Sequence, residues 1–200
     1  MTSTMRPLLA IIAVAICVGN AHAASRQVER GKYLVTLGGC NDCHTPGYFF
    51  GKPDAAKYLG GSDVGFAIPG LGVFVGPNLT PDKQTGLGNW TKQQIVTALT
   101  TGKLPDGRTL APIMPWRAFS HLTKSDAQAV AAYLQSLPPV QHQVAGPFGP
   151  TQKPTVFVMT VLPADVYNGL PKPGSAPPPA AAPTTAPAAA PAPAAPAPGK

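Results

Sequence analysis

Cysteine is scarce in this chain, with three residues in 200. A disulfide-stapled exported domain uses its cysteines in several pairs, and a structural zinc site normally wants four Cys or His ligands. Long apolar runs are missing as well. The stretch Leu8 to Val18 has eleven residues, whereas a helix needs roughly 20 to span a bilayer. Acidic residues number eight. Asp63, Asp82, Asp106 and Asp126 fall in loops and at a helix start, unpaired, so no carboxylate constellation for acid–base chemistry is legible.

The short apolar stretch reads instead as part of a secretory signal. Arg6 precedes it and Ala21-His22-Ala23 follows as a small-x-small cleavage site. The expectation is an exported chain that starts near Ala24, without Cys17. Loss of Arg6 takes the formal charge from +7 to +6. A modest positive excess favours encounter with acidic protein surfaces and makes association salt-sensitive. Nucleic acid would be a compartment mismatch.

What is there is G-G-C-N-D-C-H-T, which uses both remaining cysteines. Cys40, Cys43 and His44 are one ligand short of a structural zinc site, and the adjacent Cys43 and His44 are awkwardly placed to share one tetrahedral ion. A thioredoxin-type redox pair should follow a strand and open a helix, whereas this motif follows a helical pattern. C-x-x-C-H is the attachment signature of a c-type haem. On that reading one haem c is held by thioethers from Cys40 and Cys43, with His44 as the proximal ligand. A redox or structural disulfide is the alternative. Candidates for the opposite face are Met114, His121, His142 and Met159. Pro112 and Pro115 fix the chain on both sides of Met114, so a rigid extended segment can present its thioether, and Met/His is a known haem ligand pair. Met159, in T-V-F-V-M-T-V, reads as core filler, and the two histidines read as surface or loop residues.

Periodicity gives three helices. Arg26 to Leu37 should end at Gly38-Gly39. Thr91-Lys92-Gln93-Gln94 reads as a capping box ahead of Ile95, Val96 and Leu99, with Gly102 as the stop. Thr123 should cap a last helix from Lys124 to Leu137, apolar at Ala127, Val130, Ala131 and Leu134 and ended by Pro138-Pro139. Gly47 to Val75, rich in glycine and aromatics, suggests a hairpin or irregular flap, either packing over the core or docking a partner. Val156 to Leu162 reads as a strand laid over the core. From Pro171 the composition is nearly all Pro and Ala, expected to be a disordered spacer reaching roughly 90 Å when extended. A tether to a membrane, envelope or partner surface is its functional reading. The expected organisation is 1–23 signal, 24–146 core domain, 147–170 extended segment and 171–200 tail.

Several motifs recur in one order: R-G-K-Y-L-V, C-N-D-C-H-T, N-L-T-P-D-x-x-T-G-L-G-x-W, P-D-G-R, M-P-W and Y-L-x-S-L-P-P-V. Through them the chain resembles the class I c-type cytochromes. Within these it is similar to bacterial periplasmic cytochromes related to the cytochrome c subunits of alcohol, aldehyde and gluconate dehydrogenases. It departs from those subunits, which look like three haem domains, in having one C-x-x-C-H. The resemblance implies an all-α fold with crossed N- and C-terminal helices around haem. It implies that the Pro77 carbonyl accepts the proximal imidazole N–H, that Leu79 packs on the haem face, and that Trp90 points toward a haem propionate. It further implies a one-electron carrier rather than an enzyme, shuttling between a periplasmic dehydrogenase and the respiratory chain, where a terminal oxidase or another cytochrome accepts. The alternatives are a cytochrome c subunit of a dehydrogenase complex, and a haem sensor or peroxidase-like enzyme with an open iron.

Overall fold

The computed structural model of the chain describes residues 24–171. The expected signal segment, with Cys17, and the Pro/Ala-rich tail after Pro171 lie outside the described residues. The described chain to Val161 belongs to one compact unit, and the chain from Leu162 belongs to another.

Helix α1 covers residues 24–37 and stops where Gly38 donates to the Leu34 carbonyl at 2.8 Å and Gly39 turns left-handed at φ 63°. That turn starts the short helix α2, Cys40–His44. Helix α3, Lys92–Thr101, carries the expected capping box: Thr91 Oγ1 accepts from Gln94 N–H, and Gln94 returns a bond to the Thr91 backbone. Such a cap stabilises a helix by about 1 kcal/mol. Gly102 then ends it in the left-handed conformation, φ 71°. Helix α4 is a single turn, Trp116–Phe119. Helix α5, Lys124–Ser136, is capped by Thr123 and stops ahead of Pro138. Its expected apolar positions are all buried, together with Ala129, Ala132 and Tyr133.

The core joins Val35 of α1, Ile95 and Val96 of α3, and Ala127, Val130, Ala131 and Leu134 of α5 around Leu59. Leu59 is fully buried, and a leucine there contributes about 1.5–3 kcal/mol by leaving water. The small residues allow the first and last helices to cross closely. A side chain on Gly31 would overlap the Ala129 carbonyl, and beside the crossing Arg30 Nε meets Asp126 at 2.8 Å.

The expected all-α class needs one addition, a three-stranded sheet in the order β2-β1-β3. Strands β1, Val64–Ile68, and β2, Gly72–Val75, form an antiparallel hairpin with Phe66 opposite Phe74. It lies inside the glycine- and aromatic-rich insertion. Strand β3, Phe157–Met159, pairs parallel to β1 with Gly65 opposite Val158. It is shorter than the expected strand, and its side chains are exposed. Met159 is 44% exposed, so it is not the core filler its neighbours suggest: β3 is an edge strand whose side chains are exposed. Edge-to-face rings fasten the insertion, Phe49 to Phe66 at 5.6 Å and Phe50 to Phe157 at 4.8 Å. Phe148 bridges to Val73 on the other side of the hairpin, so residues 147–161 complete the sheet layer.

In the second unit, Ala164–Gly169 forms the short helix α6. No helix among the described residues is long and apolar enough to cross a membrane.

Candidate functional site

The site begins with the left-handed Gly39. By turning the chain sharply it lets Cys40–His44 wind as little more than one helical turn. Residues three and four apart share a helix face, so Cys40 stands over Cys43 with His44 beside them. Both sulfurs are free thiols, partly buried. Burial pushes the Cys40 thiol up to about 11 and raises that of Cys43, with the Asp42 charge adding in the same direction. Among the described residues no group of three or more His, Cys, Asp or Glu is placed to hold a metal ion.

His44 is buried, and its Nδ1 lies 2.7 Å from the Pro77 carbonyl oxygen. A carbonyl only accepts, so Nδ1 carries the proton and donates. Burial holds the imidazole below its usual range, while the bond to Pro77 opposes that shift. The ring is thus neutral with its lone pair on Nε2. Nε2 has no hydrogen-bond partner among the described residues, yet no sealed side-chain nitrogen or oxygen among them lacks one. Nε2 therefore opens onto free space. Two neutral thiols and one correctly tautomerised imidazole nitrogen, side by side on one turn, fit a haem c. Cys40 and Cys43 would supply the thioethers and His44 Nε2 the axial nitrogen.

The Pro77 carbonyl is held from both sides. Gly76 lies against Cys43 so tightly that a Cβ would overlap the Cys43 carbonyl. Gly76 accepts from Ser62 N–H at 2.9 Å, and His44 accepts through its own carbonyl from Gly61 N–H at 2.8 Å. Leu59 adopts φ 57°, a conformation that costs a branched side chain about 1–3 kcal/mol. In return its N–H reaches Thr45 Oγ1 and its carbonyl accepts from Leu79 N–H, both at 2.9 Å. The strained residue thereby ties the chain after His44 to the chain after Pro77. None of Gly76, Leu59 or Asn78 stands out as a site residue in the sequence. Only the pairing of Gly76 with an adjacent proline hints at close backbone approach.

The other expected residues are placed as follows. Leu79 and Trp90 are partly buried and pack against the helical core. Trp90 also accepts from Gln135 through its carbonyl, at 3.1 Å. Met114 is half-buried and belongs to a separate loop, taking no part in the hydrogen bonds around His44. It sits in a turn rather than an extended segment: its N–H bonds to the Ala111 carbonyl at 3.0 Å, and its carbonyl accepts from Trp116 N–H at 2.8 Å. The prolines flank that turn. The loop is fixed to the end of α3, where Leu110 N–H meets the Gly102 carbonyl at 2.7 Å. The Trp116 ring lies over the Gly102 backbone, which has no room for a side chain. His121 is exposed, whereas His142 is half-buried with Nδ1 2.8 Å from the Gly60 carbonyl.

The sequence model of the cytochrome c family matches residues 28–138. The chain is 34% identical over 142 residues to the cytochrome c subunit of alcohol dehydrogenase (quinone) from Gluconobacter oxydans, covering 69% of this chain and 28% of that one. It is 33% identical over 120 residues to the fructose dehydrogenase cytochrome subunit of Gluconobacter japonicus, covering 58% and 23%. It is 30% identical over 132 residues to the gluconate 2-dehydrogenase cytochrome c subunit of Pantoea cypripedii, covering 64% and 28%. The chain thus spans about a quarter of the length of these relatives.

Proposed function

The chain belongs to the cytochrome c family, and from that premise we propose that it is a periplasmic one-electron carrier with a single haem c, serving a dehydrogenase. When bound, the haem supplies a one-electron couple between ferric and ferrous iron. The observation that carries the reading is the His44 Nδ1 to Pro77 carbonyl bond of 2.7 Å, which fixes the imidazole as a neutral donor through Nε2. Cys40 and Cys43 would hold the group covalently, and Met114 would supply the second iron ligand from its loop. With His44 and Met114 both engaged by the metal, substrate would have no route to it. The work is then outer-sphere transfer rather than catalysis, on the class I pattern, with Leu79 covering the haem face and Trp90 near a propionate.

The names of the relatives support a second reading within the same chemistry. Each is a cytochrome subunit of a named dehydrogenase, and on this reading the chain is the haem-bearing member of such a complex, with catalysis on another chain. Terminal oxidases and other cytochromes are the acceptors its class would meet, and the Pro/Ala tail would serve as a tether. Co-purification with a periplasmic dehydrogenase separates a resident subunit from a free shuttle.

The deciding experiment is a visible spectrum of the periplasmically matured protein, oxidised and reduced, with and without carbon monoxide. A low-spin spectrum with the weak far-red methionine band, indifferent to carbon monoxide, is expected. Prompt uptake of carbon monoxide would overturn the carrier and move the work to sensing or peroxidase-like chemistry.

A further inference from the structure

We propose that Asn78 is a positioning residue for the proximal ligand, coupling the strap after α5 to the His44–Pro77 bond. This rests on the haem reading above. Asn78 directly follows the proline whose carbonyl receives His44, and it is 2% exposed. Its amide is fully used. Nδ2 donates to the Val140 carbonyl at 2.7 Å and to Thr85 Oγ1 at 3.0 Å. Oδ1 accepts from Thr80 N–H at 2.9 Å and from the Thr80 hydroxyl at 2.7 Å. A buried amide with every donor and acceptor engaged has one orientation available, and so does the peptide next to it.

The bond to Val140 reaches 62 residues along the chain, to the strap that leaves α5. The strap is fastened at further points as well, with Val140 N–H donating to Thr80 Oγ1 at 3.1 Å. His142 N–H donates to Thr85 Oγ1 at 3.0 Å, and its Nδ1 meets the Gly60 carbonyl at 2.8 Å. Val144 covers Gly61, whose N–H holds the His44 carbonyl. The strap therefore presses on both halves of the proximal bond: on Pro77 through Asn78, and on His44 through Gly60 and Gly61. A core cap alone would need one contact of this kind. Here the contacts converge on the donor and the acceptor of one hydrogen bond.

The consequence is electronic. A strong Nδ1–H to carbonyl bond makes the imidazole more basic and favours the ferric state, and loss of a direct hydrogen-bond partner of a ligating histidine typically costs about 10–100-fold in metal affinity or activity. Slackening Asn78 should therefore raise the reduction potential. Asn78→Ala and Thr85→Val are compared with Asn89→Ala, whose parent side chain caps only the Lys83 carbonyl at the surface. The expected result is an upward shift approaching tenfold in the one-electron equilibrium constant for Asn78→Ala, ~59 mV. Thr85→Val should give a smaller shift in the same direction, and Asn89→Ala none. The ferrous iron–histidine stretch, read by resonance Raman with the same substitutions placed in the Met114→Ala background, where the iron is open, should fall in step.

If Asn78→Ala does not fold, Thr85→Val carries the test. Unchanged potential and stretch together with a lowered melting temperature would overturn the proposal and leave Asn78 a purely structural residue. A parent protein with an open sixth position would overturn the carrier reading instead. The iron–histidine stretch would then still decide the role of Asn78.

Discussion

Gly31 of α1 lies directly against the backbone of Ala129 in α5: a side chain there would overlap the Ala129 carbonyl and stand 2.7 Å from Tyr133 Cβ. This contact sets how closely the first and last helices cross, and the core closes around it.

Gly31→Ala therefore puts two effects in opposition. Alanine improves the helix by about 1 kcal/mol over glycine, while overpacking a closed contact costs about 1–3 kcal/mol or more. The obstacle is backbone and cannot rotate away, so packing should win. Urea unfolding should show a lower midpoint with unchanged slope. A raised midpoint would mean that the crossing is looser than the structure has it.

Asp126 gives the crossing a pH dependence. The Arg30 guanidinium bonded to it, and then the Thr123 hydroxyl, hold its carboxyl below the usual carboxylate range. A depressed folded value means that the contribution is complete above the unfolded value of about 3.9 and fades as pH falls through the folded one. Asp126→Asn should lower the melting temperature at pH 7, and the gap to the parent should close as pH falls below the usual carboxylate range. The pair is exposed, so salt should also narrow the gap. A gap that persists in acid would point to the cap at Thr123 rather than to charge.

The sequence was most informative where physics is local. Thr91 with Gln94, Thr123 ahead of α5, Gly38-Gly39 and Pro138 mark helix ends by chemistry that acts within a few residues. The C-x-x-C-H motif is equally self-contained. Pro77 came from resemblance, and the structure places its carbonyl on His44. Asn78, Leu59 and Gly76 were not legible because their partners lie far along the chain or are backbone atoms, which leave no periodic trace. The parallel pairing of β3 with β1 joins strands about ninety residues apart, and neither strand's alternation names its neighbour. Met159 was misread for the same reason: an apolar run looks alike in a core and on an unpartnered edge.

Gly76→Ala tests the backbone fit behind the proximal ligand. Its Cβ would overlap the Cys43 carbonyl and stand 3.2 Å from His44 Nδ1. The variant should lose about 1–3 kcal/mol of stability and raise the reduction potential as the Pro77 carbonyl is displaced. Gly70 is the control. It has φ 78° with nothing within 4 Å of a Cβ, so alanine there meets only backbone strain of about 1 kcal/mol. Potentiometric titration should move for the first variant and stay still for the second.

Met114→Ala is the sharpest test of the distal face, because the loop around it is held by other groups. Leu110 bonds to Gly102, the Trp116 ring covers Gly102, and the Arg117 guanidinium lies 4.6 Å over that ring. Removing the thioether should therefore leave the loop standing and take away only the ligand. The far-red band should disappear, carbon monoxide should bind, and the potential should fall, since methionine ligation raises it. Met159→Ala, on the exposed edge of β3, should change none of these. If Met114→Ala keeps the band while another substitution removes it, the Met114 assignment fails and the loop is a wall of the site rather than its sixth ligand. If no variant removes the band, the spectrum has a different origin, and the open-iron reading returns with Nε2 of His44 as the only protein ligand to the metal.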